Sequence, residues 1–187
     1  MTIGVLALQG DFAAHAAALR RAGAAALEVR HVSQLPGIEG LVIPGGESTA
    51  LLKLMAAEPW FEALRSFAQR GRALLGTCAG AILLAREVRR PGQPSLGLID
   101  VVVERNGYGR QVDSFEADVE APSLGGVIHG AFIRAPRFVA TGPGVEVIGR
   151  RGGEPVLVRQ GRVMASTFHP EITFDDRLHR TFLATAA

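Results

Sequence analysis

Three side chains in this 187-residue sequence have the types and setting for nucleophilic acyl chemistry: Cys78, His169 and Glu171. Cys78 is the only cysteine and lies in Gly76-Thr77-Cys78-Ala79-Gly80, between an apolar run at 73–75 and a helix-like stretch at 81–87. That is the sequence form of a nucleophile elbow, a sharp strand-to-helix turn that lifts one reactive side chain above a sheet. A free cysteine is otherwise a small buried hydrophobe, and the elbow alone does not separate the two readings. A thiol nucleophile needs a base, because the thiolate attacks and the thiol is mostly protonated near neutral pH. Among five histidines, His169 stands in Phe168-His169-Pro170-Glu171. In extended backbone residues i and i+2 share a side, so Glu171 can accept the imidazole proton, fix its tautomer and stabilise the imidazolium. The blander reading makes His169 a satisfied core histidine and Glu171 a helix-entry carboxylate; the elbow and the pair together favour chemistry.

Acyl transfer also requires donors for the oxyanion. The amide of Ala79, directly after the nucleophile, is one candidate. Gly46, in the glycine-flanked run Pro44-Gly45-Gly46-Glu47-Ser48, is the second. A plain turn at Gly45-Gly46 and a helix N-cap at Ser48 are compatible with that role. The positive end of a helix starting near Ala79 favours the thiolate.

These residues need elements to hold them. Strand signals at 3–8, 27–32, 41–43 and 73–75 alternate with helix signals at 12–22, 49–57, 60–70 and 81–87, with Asp11 as the first helix's cap and Gly23 as its stop. Such alternation implies a parallel sheet covered by helices on both faces. After Pro91 come strand-like runs at 101–104, 115–119, 127–133 and 145–148, a hairpin at 155–159 and 162–168, and a closing helix at 175–184. The expected fold is α/β, a three-layer α/β/α sandwich with a mixed, largely parallel central sheet, in one domain spanning 1–187. Ligands of such sheets bind at the carboxyl ends of the strands, so the loops at 9–11, 44–48 and 76–80 should converge on one face.

Composition narrows the function. A 48% hydrophobic chain of this length builds one core. It contains no run approaching the roughly 20 apolar residues of a membrane span, and its N-terminus lacks a signal-peptide pattern. A single thiol fits a reducing compartment, which points to the cytoplasm. The formal net charge is +2, Lys53 is the sole lysine, aromatics are 6% and the arginines are scattered. A nucleic-acid face would need a concentrated basic stripe with stacking rings.

The order Cys, His, Glu with a late His-Pro-Glu resembles the class I glutamine amidotransferases. More closely, the chain resembles their family of glutaminase subunits of pyridoxal 5′-phosphate synthase, nearly end to end. The shared runs are Leu8-Gln9-Gly10, residues 44–49, 76–80 and 103–106, Gly109-Arg110-Gln111-Val112-Asp113-Ser114-Phe115-Glu116, Phe132-Ile133-Arg134-Ala135-Pro136 and Phe168-His169-Pro170-Glu171. The stretch from Arg105 to Glu116 is specific to this family. The resemblance implies hydrolysis of L-glutamine through a thioester at Cys78, with His169 as base and acid and Glu171 as its orienter. It places Gly46, Glu47, Ser48, Arg105, Ile133 and Arg134 around the glutamine and implies neither metal nor cofactor. It also implies a synthase subunit that takes up the ammonia within a large hetero-oligomer, and a glutaminase that is weak until docked. Ala81 and Tyr108 depart from the family's usual residues, and the run after Glu171 is one residue longer than its common form. Three rivals remain at this point. One is an elbow peptidase, which typically places histidine directly after the cysteine, where this chain has Ala79. The others are the glutaminase for imidazole glycerol phosphate and a silent binding protein of the same fold.

Overall fold

The structure, a computed structural model, describes residues 1–105 and 114–187. The chain opens with β1 (Thr2–Leu6), α1 (Phe12–Arg21), β2 (Ala25–Val29), β3 (Gly40–Ile43), α2 (Ser48–Met55), α3 (Trp60–Gln69), β4 (Ala73–Thr77) and α4 (Ala79–Leu84). It continues with β5 (Ala85–Arg89), β6 (Ile99–Glu104), β7 (Phe115–Ala121), β8 (Gly126–Phe132), β9 (Arg137–Thr141), β10 (Glu146–Arg151), β11 (Glu154–Gln160), β12 (Val163–Ser166) and α5 (Arg177–Ala186). Among the described residues the strands form a nine-stranded sheet, β2-β1-β3-β4-β12-β11-β10-β7-β8, and a three-stranded sheet, β5-β6-β9.

The large sheet is mixed. From β2 through β12 every pairing is parallel, and from β12 to β8 every pairing is antiparallel. Of the parallel strands, the edge strand β2 is largely exposed, while β1, β3, β4 and β12 are short apolar runs buried on both faces, as helices on both sides demand. Their side chains alternate between two cores. Leu41, Ile43, Leu74, Val163 and Ala165 meet α2, α3 and α4 through Leu51, Met55, Trp60, Leu64, Phe67 and Ile82. Ile3, Val5, Val42, Leu75 and Met164 meet α1 and α5 through Leu19, Leu178 and Phe182. Asp11 caps α1 by accepting the Ala14 amide at 3.3 Å.

The second sheet departs from the sequence reading. The stretch at 81–87 does not continue as one helix: α4 stops at Leu84, and β5 pairs with β6 from Ala85↔Ile99 to Arg89↔Glu104. Pairing with β6 overrides the helix propensity of Ala85, Arg86 and Glu87. The strand β9, not expected from sequence, pairs with β6 on its other side. Its Phe138 enters the same core as Val101 and Val103. The strand expected at 27–32 lies at Ala25–Val29 because its register with β1 begins at Thr2↔Ala25, and a 3₁₀ segment, Val32–Gly37, follows. Ser48 is the first residue of α2, after its N-cap Glu47. Tyr108 and most of the family-specific stretch lie outside the described residues, whereas Ala81 is fully buried in the core.

No helix among the described residues is long and apolar enough to cross a membrane.

Candidate active site

Four parallel neighbours, β1, β3, β4 and β12, end on one edge of the sheet, and every candidate catalytic residue sits in the loop that leaves one of them. β4 and β12 are adjacent and in register, Thr77 opposite Ser166. Cys78 and His169 are therefore neighbours despite their separation in sequence. Cys78 turns the chain at φ 47°, ψ −102°, a region that non-glycine residues rarely occupy. Such strain is of order 1–3 kcal/mol and persists only where the surroundings over-determine it. Here the Cys78 amide donates to the Ser166 carbonyl at 2.8 Å, and its own carbonyl accepts from Ile82 at 3.1 Å. α4 is only six residues long, so the helix dipole expected at Ala79 is short.

His169 is held from two sides. Its amide donates to the Ala131 carbonyl at 2.8 Å, an isolated antiparallel bridge to the end of β8. Its Nδ1 lies 2.7 Å from Glu171 Oε1. Burial works against the charged imidazole, but the hydrogen bonds to Cys78 and to Glu171 prevail and push the His169 pKa up to about 10. Burial likewise opposes the Glu171 carboxylate, yet His15 and His169 hold its pKa below the ordinary value. The geometry thus favours an imidazolium against a carboxylate beside the only thiol.

The loop after β3 closes over this pair. A Cβ on Gly45 would stand 2.3 Å from His169 Cε1 and 3.1 Å from Cys78 Cβ, so any side chain there would displace the imidazole. Gly46 adopts φ +138°, and its missing Cβ leaves room for the Gln9 amide group. Gln9 Oε1 accepts the Glu47 amide at 3.1 Å, and Gln9 Nε2 reaches the Gly45 carbonyl at 3.5 Å. The Gly45 amide is anchored on Thr77 Oγ1 at 3.0 Å. Gly46 is thus positioned by a bracket that sequence reasoning left out of the site.

The remaining candidates divide. The Ile133 carbonyl accepts from Cys78 Sγ at 3.9 Å, so Ile133 reaches the candidate nucleophile. Arg134 follows it, exposed and at φ 47°. Ser48 is buried and donates to Gln93 Oε1 at 2.8 Å. Glu47 is exposed and accepts from Thr49 Oγ1. Arg105 is partly buried just past β6, its amide donating to the Arg89 carbonyl at 3.0 Å.

Two histidines that sequence reasoning missed lie behind the carboxylate. His15 of α1 and His179 of α5 are buried, with His15 Nδ1 3.0 Å from His179 Nε2. Burial lowers the pKa of both, that of His179 to about 3. Each sits on the apolar face of its helix, the one signal available, but nothing local pairs them. A stability test follows. With its pKa at about 3, His179 stays neutral in the folded chain while unfolded chains protonate it below pH 6.5. Stability therefore falls as pH drops from 6.5 to 5, by up to about 1.4 kcal/mol per pH unit, and the lowered pKa of His15 acts in the same direction. His169, raised to about 10, works the other way, its stabilisation growing as pH falls through about 6.5 and nearly complete below pH 6. Urea midpoints at pH 6 and pH 5, where the His169 contribution is nearly constant, should show the loss, and His179→Gln, which keeps a donor but does not titrate, should reduce it. Equal slopes in the two proteins would contradict this.

The comparisons agree with the geometry. The SNO glutamine amidotransferase family matches residues 5–187. A "Pyridoxal 5'-phosphate synthase subunit PdxT" from Thermus thermophilus is 57% identical over 186 residues, covering 98% of this chain and 97% of that protein. One from Koribacter versatilis is 54% identical, covering 98% and 94%. A solved structure described as a glutamine amidotransferase superposes with TM-score 0.92 at 54% identity, covering 98% of both chains. PurLQS from Thermotoga maritima shares the fold, with TM-score 0.77 at 17% identity over all of this chain and 98% of that one. By sequence and by fold, the chain belongs to the SNO glutamine amidotransferase family.

Proposed function

We propose that this protein is the glutaminase subunit of a pyridoxal 5′-phosphate synthase. It hydrolyses L-glutamine to glutamate and ammonia and hands the ammonia to a synthase subunit. The observation that carries the chemistry is the His169–Glu171 pair, 2.7 Å apart and buried, in the loop that leaves the strand next to the Cys78 elbow. The acceptor is favoured by the description shared by the 57% and 54% identical relatives, over the glutaminase for imidazole glycerol phosphate.

The Cys78 thiolate attacks the side-chain amide carbon of glutamine, forming the C–S bond. The amides of Ala79 and Gly46 hold the oxyanion. The C–N bond breaks as the His169 imidazolium gives its proton to the departing ammonia, leaving a thioester. Neutral His169 then takes a proton from water, which attacks the thioester and releases glutamate. Glu171 keeps the imidazole in one tautomer and steadies its charge. Around the substrate, Arg105 and Arg134 suit the α-carboxylate, since guanidinium pairs with carboxylate through two hydrogen bonds, and Glu47 suits the α-ammonium. Ser48 and Ile133 complete the wall. A catalytic thiol has to stay reduced, which supports a cytoplasmic enzyme.

Ammonia released into water is largely protonated and no longer nucleophilic, so a partner has to receive it at the site, within a hetero-oligomer. Mixing the chain with the synthase subunit, glutamine and sugar phosphates should yield pyridoxal phosphate and raise glutamine turnover at least about tenfold, the scale of one restored oxyanion donor or less. No response to the synthase would point to another acceptor.

A further inference from the structure

Behind Glu171 lies a buried polar chain that the glutaminase mechanism does not use. His15 Nε2 stands 3.1 Å from Thr77 Oγ1 and 3.2 Å from Glu171 Oε2. Thr77 Oγ1 also accepts the Gly45 amide at 3.0 Å. Oε1, the other oxygen of the carboxylate, serves His169. One imidazole therefore touches both the carboxylate that orients the base and the hydroxyl that anchors the oxyanion loop.

The proton on His15 can be assigned. If Nε2 were bare it would face the Glu171 carboxylate lone pairs, a repulsive contact between two buried groups. With the proton on Nε2, it donates to Thr77 Oγ1, and the positive end of the N–H dipole lies beside Oε2, which has no hydrogen-bond partner of its own among the described residues. His15 Nδ1 then accepts from His179 Nε2. His179 Nδ1 is left as a bare lone pair, buried without a partner among the described residues. An unpaired buried lone pair is the cheaper orphan, for an N–H left there would forfeit a full donor. His179 thus fixes the tautomer of His15, and His15 offers a fixed N–H.

We propose that His15 is a positioning residue for the reaction: its Nε2–H ties the Glu171 carboxylate to Thr77 and thereby to the Gly45-Gly46 loop. The proposal rests on the glutaminase reading for its effect on turnover, but not for its effect on the thiol–imidazole pair. The charged and titratable groups facing His15 are Glu171, His169 and Asp11, with His179 on its far side. Those facing His179 are His15, Glu171, Asp176 and Arg21.

Two variants separate positioning from packing. His15→Leu fills the space and removes the donor; His15→Gln sets an amide N–H where Nε2 was. Turnover is read with the synthase bound. As a second readout, iodoacetamide alkylation of Cys78, the only cysteine, is followed against pH in the full chain. H15L should lower kcat about 10–100-fold, the range for second-layer partners of a reacting group, with KM within about twofold. Its alkylation profile should move its acid limb up, because a carboxylate that no longer faces the His15 N–H is held less firmly against the imidazolium and steadies it less. H15Q should recover most of kcat and restore the limb. A folded H15L with wild-type kcat and profile overturns the proposal. So does an H15Q as impaired as H15L with neither limb displaced, which is the result of packing alone. Should H15L not fold, Thr77→Val, which removes the shared hydroxyl, takes the same two measurements, and wild-type behaviour there overturns it equally. If the wild type releases no ammonia from glutamine with synthase present while the H15L limb still moves, the glutaminase reading falls and the positioning role stands.

Discussion

Cys78→Ala should abolish ammonia release from glutamine, lowering kcat by on the order of 10⁴-fold or more, the cost of losing a covalent nucleophile. The fold should survive. The substitution removes one atom, alanine is no worse than cysteine at φ 47°, and the elbow's tethers to Ser166 and Ile82 are backbone bonds that alanine keeps. Docking to the synthase should persist too. The variant therefore separates catalysis from assembly, read as ammonia release beside co-elution with the synthase. Undiminished turnover would remove Cys78 from the mechanism. Loss of binding along with activity would make it a structural residue.

The second large effect belongs to a residue that does no chemistry. Gly80→Ala should destabilise the protein by about 3–5 kcal/mol, at the upper end for single substitutions. A Cβ on Gly80 would lie 2.0 Å from the Ile43 carbonyl oxygen and 2.9 Å from its carbon. The obstacle is backbone of β3, so no side-chain rotamer relieves it and α4 has to move off the sheet. That movement carries the Ala79 amide away from Cys78 and should depress activity in whatever fraction folds. Gly71→Ala is the control. It has φ +75° and nothing within 4 Å of the added Cβ, so only the left-handed strain of about 1–2 kcal/mol remains. Urea midpoints of the two variants, set against wild type, test the difference. A Gly80→Ala loss no larger than that of Gly71→Ala would mean that the approach to Ile43 is relieved without moving α4.

The parallel half of the fold was legible because each strand there is a short apolar run bounded by glycine or a capped helix. The candidate catalytic residues were legible for a similar reason. Cys78 carries its elbow in five consecutive residues, and His169 carries its carboxylate two positions away. What could not be read depends on partners far along the chain. The strand at Ala85–Arg89 has helix-forming residues and becomes extended only because β6 lies beside it. Arg137–Thr141 is too short to declare itself without the same neighbour. His15 and His179 are 164 positions apart, and only the packing of α1 against α5 brings them to 3.0 Å. Gln9 and Thr77 stood in runs already singled out. Their roles as brackets for the Gly45-Gly46 loop emerge only when the loops after β1, β3 and β4 meet.

The order of the large sheet sets when this enzyme comes into being. β4 is made less than halfway through synthesis, but its neighbour on the far side is β12, one of the last strands. Until residue 166 has left the ribosome, the edge of β4 has no mate, and unpaired parallel edges are where nascent chains go astray. The base, its carboxylate and the histidine on α5 all follow β12. The nucleophile thus waits, inert, through more than half of translation, and a truncated chain cannot liberate ammonia. Closing the sheet and arming the cysteine are one event.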